Sequence, residues 1–185
     1  AYDPFGYSSY YPSGWNCVAA MAAQISGVSA SAANNAMNFA ITAFVLPISF
    51  HCFMRTAFAD RPLVVPFGAL VCTAFPWAML IFGPLYPNML GFSLLPVLMA
   101  AFMAAFRMGA RRSDRIAMAA LFVLGVASCA FTQPNAVFAA AALLIAFCVS
   151  RISEWVDSLG LCRSQCIVRK LLLCIGFVVL AAAAW

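Results

Sequence analysis

The feature that most restricts this chain is a series of apolar runs separated by short loops, with every basic residue confined to alternate loops. The runs cover about residues 36–54, 63–82, 89–106, 116–131 and 136–149. They approach the roughly 20 residues that an α-helix needs to cross the hydrocarbon core of a bilayer. Pro47, Pro66 and Pro76 inside them do not argue against this, because neighbouring helices satisfy the carbonyls that a proline frees. A kink is expected in the second run, which carries Pro66 and Pro76. Composition agrees: 66% of residues are hydrophobic and 8% charged, where a soluble domain carries about 25% charged residues. The expected fold class is all-α, a polytopic transmembrane bundle with five full spans, a truncated sixth and short interfacial helices.

The charges set an orientation. Counting loops alternately, Arg55, Arg61, Arg107, Arg111, Arg112, Arg115, Arg151, Arg163, Arg169 and Lys170 all fall on one side and none on the other. Basic loops stay cytoplasmic. Residues 1–33, the Tyr86 turn and the Gln133 turn are then extracytoplasmic. The net charge of +5 is thereby assigned to membrane topology. It does not indicate nucleic acid, since no basic patch with interleaved aromatics is present.

The outward loops share a pattern. They read Tyr10-Tyr11-Pro12-Ser13-Gly14-Trp15-Asn16, Tyr86-Pro87-Asn88 and Gln133-Pro134-Asn135. Each has a proline beside a helix start, where the missing N–H is not needed. Three helix N-termini then point outward, each with free N–H groups and a partial positive charge. With Asn16, Asn88 and Asn135 they suit a phosphate or pyrophosphate head group on a face without Lys or Arg. Pro-Asn also makes ordinary compact turns, and both readings stand at this point. Tyr11, Trp15 and Tyr86 offer aromatic surface for stacking on a sugar or lipid, and Gln133 completes the candidate set. Val18, Met21, Ala22 and Ile25 recur at helical spacing. That helix, from Trp15 to Ile25, is too short to span and is expected at the interface, with Trp15 at headgroup depth. Asn34, Asn35 and Asn38 lie at the outer mouth of the first span, placed to line a cavity or to pair between helices.

The chain divides into an outer loop with an interfacial helix at 1–33 and a five-span bundle at 34–150. A cytoplasmic amphipathic segment follows at 151–169, with Ile152, Trp155, Val156 and Leu159 on one face. A truncated helix occupies 170–185. Only 15 residues follow Lys170, so a piece of a longer polytopic protein is expected. Ser113 is the expected cap of the fourth span. Cys17, Cys52, Cys72, Cys129, Cys148 and Cys174 read as small hydrophobes. Cys162 and Cys166, four apart, lack the partners of a zinc site. His51, the lone histidine, reads as a packing or interface residue, and Asp3 as a turn residue, a base or a metal ligand. No nucleophile–base pair, metal cluster or glycine-rich phosphate loop is recognisable. No cofactor is indicated, and a divalent metal has no ligand set to support it.

Tyr11-Pro12-Ser13-Gly14-Trp15, then Phe82-Gly83-Pro84-Leu85-Tyr86-Pro87-Asn88 and Gln133-Pro134-Asn135, resemble a family of large, uncharacterised actinobacterial polytopic membrane proteins. The resemblance covers about residues 10–150. In that family the first motif usually reads Tyr-Pro-Ser-Gly-Trp-His and the third His-Pro-Asn. Asn16 and Gln133 stand here in place of those histidines. The family is in turn similar to GT-C glycosyltransferases, which use polyprenyl-phosphate sugars and carry an acidic catalytic residue in their first large outer loop. That resemblance implies a GT-C-like bundle in a bacterial cell membrane, with membrane lipid and a polyprenyl-phosphate sugar donor as partners. It also places the catalytic acid upstream of Ala1.

Three functions are consistent with these residues. One is a glycosyltransferase-like role in the cell envelope. A second is a transporter or lipid flippase, against which stands the lack of ionisable residues in mid-span. The third is a non-catalytic membrane scaffold.

Overall fold

A computed structural model of the chain describes residues 13–73, 75, 77, 85–107, 109–159 and 163–183. Among these there is no strand. The helices used below are α1 (Gly14–Ser26), α2 (Ala30–Ala57), α3 (Tyr86–Ala105), α4 (Arg112–Thr132), α5 (Pro134–Ser158) and α6 (Arg163–Ala183). A 3-10 helix, Pro62–Thr73, lies between α2 and α3. Helices α2 to α5 are long and apolar enough to cross a membrane, which makes the chain an integral membrane protein. They correspond to the first, third, fourth and fifth expected spans.

The second expected span, 63–82, falls partly outside the described residues. Its described part winds as a 3-10 helix with Pro66 inside it. Pro66 gives no N–H to the carbonyl of Pro62, and its ring crowds that oxygen, so an α-turn is penalised there.

Two compact units divide the chain, Ala1–Phe138 and Ala139–Trp185. In the first, α3 is central and packs on α1, α2 and α4. It buries Met89, Ser93, Leu98, Met99, Ala101 and Ala105. Helix α4 buries Cys129 and Thr132 alone and exposes Ile116, Leu121, Val123, Leu124 and Phe131. Such a surface is a liability in water and is what a lipid-facing helix presents.

Local chemistry sets the helix ends. Gly27, at φ 68°, closes α1 in the left-handed conformation that favours glycine. Ser29 then accepts a bond from the N–H of Ala32 at 3.3 Å. This cap starts α2 at Ala30, ahead of the expected start at 36. Ile41–Val45 forms a π-turn inside α2, with the N–H of Leu46 bonded to the carbonyl of Ile41. Pro47 follows, and the wide turn accommodates a residue that cannot donate to the turn before it. Helix α4 starts at Arg112 with Arg111 at its N-cap and no side-chain cap bond. The expected cap, Ser113, instead lies in the first turn and donates to Asp114 at 3.2 Å.

A hydrogen bond between helices also ties α2 to α3. Beside Pro96, the N–H of Val97 donates to Ser49 Oγ at 2.9 Å, and Ser49 is buried. Ser49→Ala is expected to cost about 0.6 kcal/mol and at most about 1.7, the range found for hydrogen bonds between membrane helices. Denaturation in mixed micelles measures this; an unchanged midpoint would mean that Val97 has another acceptor. At the far end of α3, Arg115 Nε donates to the carbonyl of Ala105 at 3.0 Å, and Phe102 packs against Phe106 and Phe122.

In the second unit, α5 does not stop at 149 but continues to Ser158. No Gly or Pro intervenes before Gly160. Residues expected in a separate surface helix are therefore shared between the end of α5 and the start of α6, which begins at Arg163. Lys170 joins α6 to α5 through Asp157 at 2.6 Å.

Candidate functional site

The start of α1, the start of α3 and the turn between α4 and α5 come together at one end of the first unit; Pro12 lies outside the described residues. Gly14, the first residue of α1, lies against the end of α4. A Cβ at that position would meet Thr132 Cγ2 at 2.6 Å and the Phe131 carbonyl oxygen at 3.0 Å. Trp15 follows and is 1% exposed. Its indole stacks on Tyr86, with ring centroids 4.9 Å apart and planes at 12°. Its Nε1–H donates to Asn34 Oδ1 at 2.9 Å. Ile41 and Met89 complete the buried cluster around it. With one face of its ring on Tyr86 and its N–H on α2, Trp15 is part of the core of this unit.

Tyr86 opens α3, with Pro87 and Asn88 in the same first turn. One turn further, Gly91 lies against the third loop, where an added Cβ would be 2.7 Å from Gln133 Cβ and 3.3 Å from Ala136 Cβ. Gln133 is buried and extended, and its N–H caps α4 by donating to Cys129 at 2.7 Å. Thr132 returns its hydroxyl to the carbonyls of Ser128 and Cys129. Pro134 and Asn135 then open α5.

These contacts divide the candidate residues into two groups. Trp15, Tyr86 and Gln133 knit the loops to one another. Asn16 and Asn135 are exposed and Asn88 is half-buried, so the three asparagines remain on the surface of the assembly. Tyr11 and Asp3 lie outside the described residues. Gly14, Gly91, Thr132 and Asn34 hold the cluster as firmly as the candidates do. Of these, Asn34 was legible as a polar residue at the mouth of a span. Gly91 has the small-residue signature of a close helix approach in a membrane.

The electrostatics follow from the helix starts. The first bonds within α1, α3 and α5 run from Cys17 to Ser13, from Met89 to Leu85 and from Ala136 to Gln133. N–H groups ahead of these donors, including those of Asn16, Asn88 and Asn135, have no partner inside their helices. Three positive dipole ends are thereby gathered at one end of the unit. The 20 residues of α3 separate this end by about 30 Å from the arginines at the start of α4. Among the described residues, no three His, Cys, Asp or Glu side chains are grouped to hold a metal ion. What the arrangement presents is a group of neutral hydrogen-bond donors at three helix starts.

No curated protein and no solved structure matches the chain significantly. One family model matches, that of the Family of unknown function (DUF6541), and it spans residues 1–185. With the whole length matched, the chain belongs to the family of unknown function DUF6541.

Proposed function

We propose that the loop cluster faces outward from a bacterial cell membrane and receives the phosphate of a polyprenyl-phosphate sugar. In this reading the chain is part of a glycosyltransferase-like protein of the cell envelope. The observation that carries it is the convergence of three helix starts, α1, α3 and α5, through the Trp15–Tyr86 stack and the Gly14 and Gly91 contacts. Asn16, Asn88 and Asn135 would bind phosphate oxygens together with the unpaired N–H groups beside them. Trp15, Tyr86 and Gln133 would position these donors. The sidedness rests on the basic residues, which the sequence places in or beside alternate connections between apolar runs.

Asparagine-to-aspartate changes separate binding from folding. A carboxylate in a first helical turn favours the helix by about 0.3–1 kcal/mol, yet it repels a phosphate. The Asn16→Asp, Asn135→Asp double variant is expected to unfold no earlier than the parent. Its affinity for a polyprenyl phosphate in detergent should fall about tenfold or more, as like charges brought together cost several kcal/mol. Uncharged polyprenol should bind both proteins alike. Equal affinity of parent and variant for the phosphate would sink the proposal. A non-catalytic scaffold is the second reading, favoured by the burial of Trp15 and Gln133, and it is the one that equal affinity would leave.

A further inference from the structure

A second binding surface lies at the opposite end of the first unit and is independent of the loop cluster. A half-open cavity of about 600 Å³ runs between α2, α3 and α4, within the roughly 300–1,000 Å³ of small-molecule sites. Ala100, Ala101 and Ala104 of α3 and Gly125 of α4 make room for it. Along α3 it extends from Ala104 to Leu94 and along α4 from Met118 to Ser128. Ten residues of helix rise about 15 Å, half of the roughly 30 Å hydrocarbon core. The groove is therefore one leaflet deep.

Its polar groups are concentrated at one end. Ser128 and Thr56 line the groove, but their hydroxyls bond back to the carbonyls of Leu124 and Cys52. His51 and Arg55, near the end of α2, also line it and are exposed. Arg55 forms no ion pair among the described residues, and the lining contains no carboxylate. An apolar, leaflet-deep groove in hydrocarbon is filled by lipid, since no water is available at that depth. A guanidinium at its mouth selects the charge of the head group.

We propose that this groove is a binding site for one anionic phospholipid, with an acyl chain lying along α3, flanked by α2 and α4, and the phosphate at Arg55 and His51. The lipid belongs to the leaflet on the basic side of the protein, away from the asparagines.

The test uses the full chain, purified in mild detergent and offered dioleoyl-phosphatidylglycerol, dioleoyl-phosphatidylcholine or glycerol phosphate, with bound lipid counted by native mass spectrometry. Phosphatidylglycerol should be retained in preference to phosphatidylcholine, and glycerol phosphate should not be retained. Arg55→Gln should reduce the preference about fivefold, the share of one basic residue at a membrane surface. Ala104→Leu should reduce retention by filling the groove. Leu121→Trp, at an exposed rim position, serves the same purpose without touching the helix contact. Equal retention of the two lipids would overturn the proposal. So would retention of glycerol phosphate, or a preference unchanged by Arg55→Gln, or retention unchanged by Leu121→Trp.

Discussion

Trp15→Ala is expected to lower the thermal unfolding midpoint in detergent by roughly 10 °C, the largest single effect in the loop cluster. A buried Trp replaced by Ala costs about 3–5 kcal/mol, and a chain of this size loses about 2–4 °C per kcal/mol. The indole is 1% exposed and joins three helices: it grows from α1, stacks on Tyr86 of α3 and bonds to Asn34 of α2. Its removal should loosen all three at once. Trp15→Phe keeps a ring for Tyr86 but loses the N–H, so it should cost less. A double-mutant cycle of Trp15→Phe with Asn34→Ala isolates the hydrogen bond, with a coupling of about 1 kcal/mol expected. Strict additivity of the two changes would show that the bond contributes nothing. A Trp15→Ala protein with an unchanged midpoint would show that the stack does not hold the cluster.

The second large effect is expected at two glycines. Gly14→Ala and Gly91→Ala should each destabilise by about 1–3 kcal/mol, the cost of overpacking a tight contact. At Gly14 the new methyl would meet Thr132 and a backbone carbonyl, that of Phe131. Thr132 cannot easily turn away, because its hydroxyl is bonded to Ser128 and Cys129. At Gly91 the obstacle is Gln133 Cβ at 2.7 Å, an atom fixed to its backbone. Gly125→Ala supplies the contrast. There the nearest atom is Leu98 Cδ1 at 2.6 Å, the movable end of a flexible side chain, while Ala gains about 1 kcal/mol over Gly in helix propensity. Gly125→Ala should be close to neutral. If all three variants lose stability equally, close loop approach is not the reason that glycine occupies 14 and 91.

Much of the architecture was legible in the sequence, and the reasons are physical. A span announces itself by apolar length alone, so α2, α3, α4 and α5 were visible as runs. The meeting of the loops around Trp15, Tyr86 and Gln133 at one end followed from alternation, since every second loop of an up-and-down bundle lies at the same end. Asn34 stood out because a polar side chain at a span mouth seeks a partner across helices.

Other features turn on contacts that no local pattern records. The aromatic Trp15 at a loop edge reads the same whether its ring faces head groups or another ring. Its partner Tyr86 lies far along the chain, and only packing brings them together. The 3-10 winding of Pro62–Thr73 has the same apolar composition as an α-helical span. The continuation of α5 to Ser158 depends on the absence of a breaker, a weaker signal than a breaker itself. The cap at Ser29 is hidden in a short stretch of small polar residues.

The most direct test of the central proposal, that the three helix starts form one outward assembly with the basic end across the membrane, is sidedness. Single cysteines are introduced at Asn16, Asn135 and Ser113, all exposed positions, in the full chain with its own cysteines replaced by serine or alanine. Intact cells are treated with a membrane-impermeant maleimide. Asn16→Cys and Asn135→Cys are expected to label in intact cells, and Ser113→Cys only after permeabilisation. Labelling of Ser113→Cys in intact cells, or of Asn16→Cys and Asn135→Cys from opposite sides, would contradict it.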